Sequence, residues 1–268
     1  MLFKKIKTEN HNKVGVISLN NPKDLNLIDS NTFNEIYSAI EEFEKSQNIK
    51  TILIKSICGI SKTGEKVFSA GANLKEYSQK FEMFDKNPSD FENYIRKQRS
   101  LLLKIEGLSK PVIIAIDGLV VGGFFELALA CDTILASNSA SFKLNEVNIG
   151  LVPGYGIIHR LLRLSGKNRT FEIISSGREL SAYEALNYGI VSEVFDDMEF
   201  EKATLRYCQN LAEKSANTLC LIKNTIGMLS KGDTIEDIEV NNFLQAIGHP
   251  DSREGIKAFL EKRKPDFS

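Results

Sequence analysis

The sequence predicts an α/β fold, with a core of alternating strands and helices over residues 1–197 and a helical region over 198–268. Three observations predict it. Short β-branched runs alternate with stretches of helical periodicity. Residues 111–116 form a continuous apolar run of the length of a buried parallel strand. From Met198 onward helix start and stop signals continue, but no strand run is evident.

The elements follow in chain order. Residues 14–19 and 51–55 are β-branched and read as strands. Between them Phe33, Ile36, Tyr37, Ile40 and Phe43 recur at helical spacing, with Asp29 or Ser30 available as a cap. Residues 66–69 read as a short strand running into a glycine turn. Residues 78–98 are polar and contain Pro88, which suggests a mobile excursion or a loose helix, and 101–108 continue as helix. Then come a buried strand over 111–116, an apolar helix over 124–131 and a strand over 133–136. Ser181-x-x-Glu184 is a capping box and Gly189 the matching stop. Asp251-x-x-Glu254 opens a last helix that runs to about Arg263, ahead of Pro265.

Composition narrows the function. The chain has 268 residues, a formal net charge of -1, 42% hydrophobic and 26% charged residues. That is an ordinary globular mixture. No run of Lys or Arg points to nucleic acid or an anionic membrane. The apolar stretch 112–131 has the length of a membrane span, but it carries Asp117, Glu126 and three glycines, and a charge near the bilayer centre costs at least ~2.5 kcal/mol. A strand, a turn and a buried helix account for it better. The N-terminal residues lack a continuous apolar segment and read as the start of the folded chain. Cys58, Cys131, Cys208 and Cys220 form no C-x-x-C pair and read as small buried apolar residues in a reducing, cytoplasmic setting. His11, His159 and His249 lie far apart, without metal-ligand spacing, so no metal is expected.

Two glycine turns and two glutamates carry the candidate chemistry. The turns are Phe68-Ser69-Ala70-Gly71-Ala72-Asn73 and Asp117-Gly118 through Gly122-Gly123. Glycine permits close approach to the main chain, and a helix start offers free N–H groups. Two such ends aimed at one point make an oxyanion hole. Taken alone they are equally two tight turns of an α/β core. Glu126 has apolar or glycine neighbours on every helical face, so burial should raise its pKa. Glu146 follows twenty residues later. Two glutamates flanking one site can hold a water and exchange protons with it. The alternative for each is a capping or ion-paired carboxylate.

Four groups of residues resemble the enoyl-CoA hydratase/isomerase (crotonase) family. Ser69-Ala70-Gly71-Ala72-Asn73-Leu74-Lys75-Glu76 resembles its A-G-A-D-[IL]-K-E turn. Residues 111–118, Gly122-Gly123 and Glu126-Leu127-Ala128-Leu129-Ala130-Cys131-Asp132 resemble its central signature. Gly150-Leu151-Val152-Pro153-Gly154 with Arg160-Leu161, and the blocks around Gly177-Arg178 and Arg253-Glu254-Gly255, complete the match in order. The resemblance implies a spiral of ββα units with a helical C-terminal region, assembled as a homotrimer or homohexamer. It implies a coenzyme A thioester substrate and no cofactor beyond that CoA. The N–H groups of Ala72 and Gly123 would hold the thioester oxygen, and Glu126 and Glu146 would be the catalytic pair. Ala70, Ala72, Asn73, Leu74, Lys75 and Gly123 would line the substrate, while Lys23 and Leu25 would meet the nucleotide end of CoA. The activity implied is hydration of a 2-enoyl-CoA; the alternatives are isomerisation, or dehydration of a specialised acyl thioester. A non-catalytic binding member of the family is opposed by the net charge and by the presence of both glutamates. The departures are Asn73 for aspartate, Phe124 and Phe125 before Glu126, Lys143 and Asn145 before Glu146, and the bulky Tyr155, Ile157 and Ile158, which together suggest an unusual acyl pocket.

Overall fold

The computed structural model describes residues 3–29, 31–229 and 235–267. The chain opens with the antiparallel strands β1 (Ile6–His11) and β2 (Val14–Leu19), then helix α1 (Thr32–Lys45). Strand β3 (Thr51–Ser56), the short β4 (Gly59–Ile60) and β5 (Lys66–Ser69) follow. Helices α2 (Leu74–Lys86) and α3 (Pro88–Glu106) lead to β6 (Val112–Ile116), β7 (Leu119–Val121) and α4 (Gly123–Ala128). After β8 (Thr133–Ser137) and β9 (Ser141–Lys143) come α5 (Ile157–Ser176), β10 (Glu179–Ser181), α6 (Ala182–Asn187) and β11 (Glu193–Phe195). The remainder is α7 (Phe200–Ala212), α8 (Ala216–Leu229), α9 (Ile235–Gly248) and α10 (Pro250–Leu260), with no strand after Phe195 among the described residues.

Two sheets form, in the orders β1-β2-β3-β6-β8-β11 and β10-β9-β7-β5-β4. Successive strands β6, β7, β8 and β9 alternate between them, so each turn of the chain adds one strand to each sheet. This is the spiral of ββα units that the resemblance implied. Side-chain alternation sets the layers. In the first sheet Ile52, Ile54, Val112, Ile114 and Ile116 face the main core, which the second sheet shares through Phe68, Val120 and Phe142. Val14, Val16, Leu53, Ile113, Ala115 and Leu135 face the other way, onto Phe200, Cys208 and Ala212 of α7. Strands β3, β6 and β8 are therefore covered on both faces, which is why they read as unbroken apolar runs.

Several boundaries differ from the sequence reading. Of the two readings of residues 78–98 the helical one holds: they form regular helix broken at Asn87, with no mobile excursion. Asn87 ends α2 and caps α3 through its side chain, and Pro88 occupies the first helical turn, where its missing N–H costs nothing. Helix α4 stops at Ala128, short of Cys131, because the amides of Ala130 and Cys131 bond three residues back and tighten the chain toward β8. Helix α10 starts at Pro250 and is capped by His249, whose Nδ1 accepts from the Asp251 amide. It ends at Leu260, so Arg263 lies beyond it, paired with Glu254. Asp29, one of the two candidate caps of α1, accepts from the Asn31 and Thr32 amides; Ser30, the other, lies outside the described residues. The capping box of Ser181 and Glu184 forms as expected. All four cysteines are free thiols, but only Cys208 is fully buried; the others are half-buried.

Candidate active site

Strands β5, β7 and β9 run parallel and side by side in the second sheet. The segment after each leaves the same edge of that sheet. After β5 comes the turn with Ala72, after β7 the turn with Gly123, and after β9 a single 3-10 turn that begins at Glu146. The carboxyl ends of parallel strands are where α/β folds form their crevices.

The two turns lie against each other. A Cβ placed on Gly71 would sit 3.1 Å from the Val121 carbonyl oxygen. Ile28 touches both turns: it bridges with Ala72 in parallel pairing, and its Cδ1 would sit 2.8 Å from a Cβ on Gly123. The Ile28 amide donates to the Gly71 carbonyl and the Asn73 amide donates to the Ile28 carbonyl. This pairing skips the Ala72 N–H. Among the described residues neither the Ala72 nor the Gly123 amide has an acceptor. Each of the two touching turns thus carries a polar N–H that an incoming oxygen can satisfy.

Asn73 caps α2, its side-chain oxygen accepting from the Lys75 and Glu76 amides, so amide and carboxylate serve equally at this position. Leu74 and Lys75 are exposed on the first turn of α2. The Ala70 amide donates to the Leu25 carbonyl at 2.9 Å, which ties the Lys23–Leu25 segment to the first turn. Leu25 is half-buried there with a left-handed φ of 51°, and Lys23 is exposed. Sequence reasoning missed the residue that anchors this segment. Asn26 is buried, accepts from the Asn21 amide and donates to Ser56 Oγ, the Ile57 carbonyl and the Phe68 carbonyl. Its partners are spread over tens of residues, so only its place in the Asn-Pro-Lys run hinted at it.

Glu126 is 2% exposed. Its Oε2 accepts from the Tyr155 amide at 2.9 Å and the Ile157 amide at 3.2 Å. Burial, and next the charge of Glu146, push its pKa up to about 8, against the opposing pull of those amides and of Arg160. Glu146 is half-buried, its Oε2 lacks a partner among the described residues, and desolvation raises its pKa too. A Cβ on Gly122 would lie 2.9 Å from Glu146 Oε1, and Gly122 has φ of 55° and ψ of -120°. Only glycine lets the chain turn there with the carboxylate so close.

The bulky departures from the family pattern divide. Phe124 and Phe125 are 0% exposed, Phe124 against Phe33 and Phe68 and Phe125 against Phe142. They fill the core, and the unusual acyl pocket read from them is not what they build. Tyr155 is different. Its ring packs edge-on against Phe33, and its Cε2 would lie 3.8 Å from a Cβ on Gly123.

Comparison with known proteins identifies the family. The sequence model of the enoyl-CoA hydratase/isomerase family matches residues 9–268. A probable mitochondrial enoyl-CoA hydratase of Dictyostelium discoideum is 34% identical, over 97% of this chain and 89% of its own. A probable enoyl-CoA hydratase of Bacillus subtilis is 33% identical, over 95% of each. The solved structure of an enoyl-CoA hydratase from Geobacillus kaustophilus superposes with a TM-score of 0.88 at 33% identity, covering 99% of this chain and 98% of that one. The chain therefore belongs to the enoyl-CoA hydratase/isomerase family.

Proposed function

We propose that this enzyme adds water reversibly across the double bond of a 2-enoyl-CoA thioester. The observation that supports the reading is the pair of desolvated glutamates, with Glu146 acting on the charge of Glu126, together with main-chain amides at Ala72 and Gly123 that have no acceptor among the described residues. The thioester oxygen accepts from the Ala72 and Gly123 amides, which stabilise the negative charge it gains. That draws electron density from Cβ. A water held between the carboxyl groups adds its oxygen to Cβ and gives a proton to Glu126, while Glu146 delivers a proton to Cα. The sum is one water added, and proton exchange between the two carboxyl groups resets them. The working state thus holds one proton on the pair. Residues Ala70 and 72–75 line the thioester and pantetheine, and Lys23 and Leu25 lie toward the nucleotide. No metal or redox group enters the scheme, and CoA is simply the carrier.

Loss of the conjugated thioester absorbance of a short 2-enoyl-CoA tests this. Glu126→Gln and Glu146→Gln should each lower kcat by about 10²-fold or more, with the fold intact. Near-normal hydration by both variants would falsify the reading. Wild-type kcat should fall as pH rises through about 8, because the pair then loses its last proton. Isomerisation or specialised dehydration remains the second reading, supported by the bulky Tyr155 ring packed close to Gly123. A panel of short, long and branched enoyl thioesters separates the two.

We also infer self-association into a trimer or a hexamer. Helices α8, α9 and α10 turn Ile226, Phe243, Leu244 and Phe259 to solvent, with Phe243 66% and Phe259 83% exposed. Apolar surface of that extent marks an interface. The four free thiols fit a cytoplasmic setting.

A further inference from the structure

We infer that Arg160 is a positioning residue for Glu126, acting through the turn 155–157, with Glu106 holding its guanidinium in place. The inference rests on the hydratase reading above. The Tyr155 and Ile157 amides aim at Glu126 Oε2 only while the turn between them keeps its shape. Arg160 is packed against that turn. Its Nη1 donates to the Tyr155 carbonyl at 3.0 Å, so one peptide neighbour of Tyr155 is fixed on each side, by carboxylate and by guanidinium. Gly156, at the apex, has φ of 102°, and a Cβ there would lie 2.7 Å from Arg160 Nη1. The turn and the guanidinium therefore fit only with glycine between them.

Arg160 is itself held. Its Nε donates to Glu106 Oε1 at 2.7 Å, at the end of α3, and its side chain is 7% exposed. A buried cation in the first turn of α5 opposes the helix dipole, so stability of that helix does not account for it. A role toward the neighbouring carboxyl does. The positive charge favours the ionised form of Glu126, while Glu146 opposes it. The charges acting with Arg160 are Glu106, which pairs with it, and Glu126, while the exposed His159 beside it in sequence feels Arg160 together with Arg163, Glu106 and Arg99. Arg160 thus sets both the direction of the Glu126 carboxyl and how readily it gives up its proton. Arg160 was visible in sequence as part of a motif; its partner Glu106, 54 residues earlier, was not.

The test uses the full-length enzyme with Arg160→Lys, Arg160→Gln and Glu106→Gln, reading kcat, KM and the pH profile on a short 2-enoyl-CoA. Wild type and Glu126→Gln serve as references. Arg160→Gln should lower kcat about 100-fold with little change in KM, the scale expected when a reacting group is slightly misplaced. It should also move the alkaline limb to higher pH, since the charge that favoured the ionised carboxyl is gone. Arg160→Lys keeps the charge but not the fork, so it should lower kcat about 10-fold and leave the limb near its wild-type place. Glu106→Gln should behave like Arg160→Lys. Titration of the Glu126 carboxyl by carbon-13 NMR, assigned by its loss in Glu126→Gln, reads the same shift without turnover. If wild type hydrates no enoyl-CoA, the hydratase reading fails and the NMR titration alone decides on Arg160. Should Arg160→Gln not fold, the other two variants decide. Folded variants with wild-type kcat and an unmoved Glu126 titration would overturn the inference.

Discussion

At position 126 the chain withdraws a carboxyl group from bulk solvent, and this has a thermodynamic consequence. The folded-state pKa of Glu126 is raised to about 8. A raised pKa means the folded protein holds this proton more tightly than the unfolded chain. The stability it contributes is complete below the ordinary glutamate range and is lost as pH climbs through about 8. Glu126→Gln should therefore melt progressively higher than wild type as pH is taken from 5 to 8, while its activity is lost throughout. Paired melting curves across that range check this, and a difference in Tm independent of pH would contradict it. The desolvation itself was legible in sequence, because every helical neighbour of Glu126 is apolar or glycine. Glu146 was not legible in that way. Its neighbours mix polar and apolar residues, so it stood out as a second carboxylate twenty residues after Glu126 and through the family resemblance, with no sign of its burial. Asn26 stayed hidden because its partners come from β3 and β5, brought to it by the fold.

At the scale of elements, one lysine joins three of them. Lys223, on α8, is buried and donates to the Ile105 and Lys110 carbonyls and to Asp132 Oδ2 at 2.7 Å. The same Asp132 oxygen accepts from the Val112 amide, at the start of β6. Lys223 thus fastens the C-terminal helices to the centre of the first sheet. Lys223→Met should remove three hydrogen bonds and leave Asp132 without its cation, at a cost of about 3 kcal/mol. Urea unfolding at neutral pH measures it, and a midpoint equal to wild type would show the pin to be dispensable. Burial already raises the pKa of Asp132, so the penalty should shrink in acid, where the carboxyl is neutral. Strands β2, β3, β5, β6 and β8 were legible because each is an apolar or β-branched run. Strands β4, β7, β9, β10 and β11 run two to three residues each, too short for a period to register. The stretch 78–98 was left between mobile excursion and loose helix for another reason. Its polar face looks like a loop, while its aromatic residues pack only once the hairpin forms, Phe84 edge-on to Phe91 at 5.8 Å.

For the molecule as a whole, the exposed apolar side of α8–α10 governs assembly. Sedimentation should show a species several times heavier than the 30.0 kDa chain. Phe243→Glu combined with Phe259→Glu should drive it toward the single chain, and a wild-type protein that sediments as one chain would refute self-association. The neighbouring strands β5, β7 and β9 have a further consequence for how the enzyme comes into being. They are distant in sequence, and each parallel pairing must close a long loop before it gains anything. No fragment that stops before β9 can bring the Ala72, Gly123 and Glu146 segments together. During synthesis the catalyst stays silent at least until Glu146, just past the middle of the chain, has emerged, and on refolding from denaturant its turnover returns in step with the last of these pairings, after much of the helix signal has recovered.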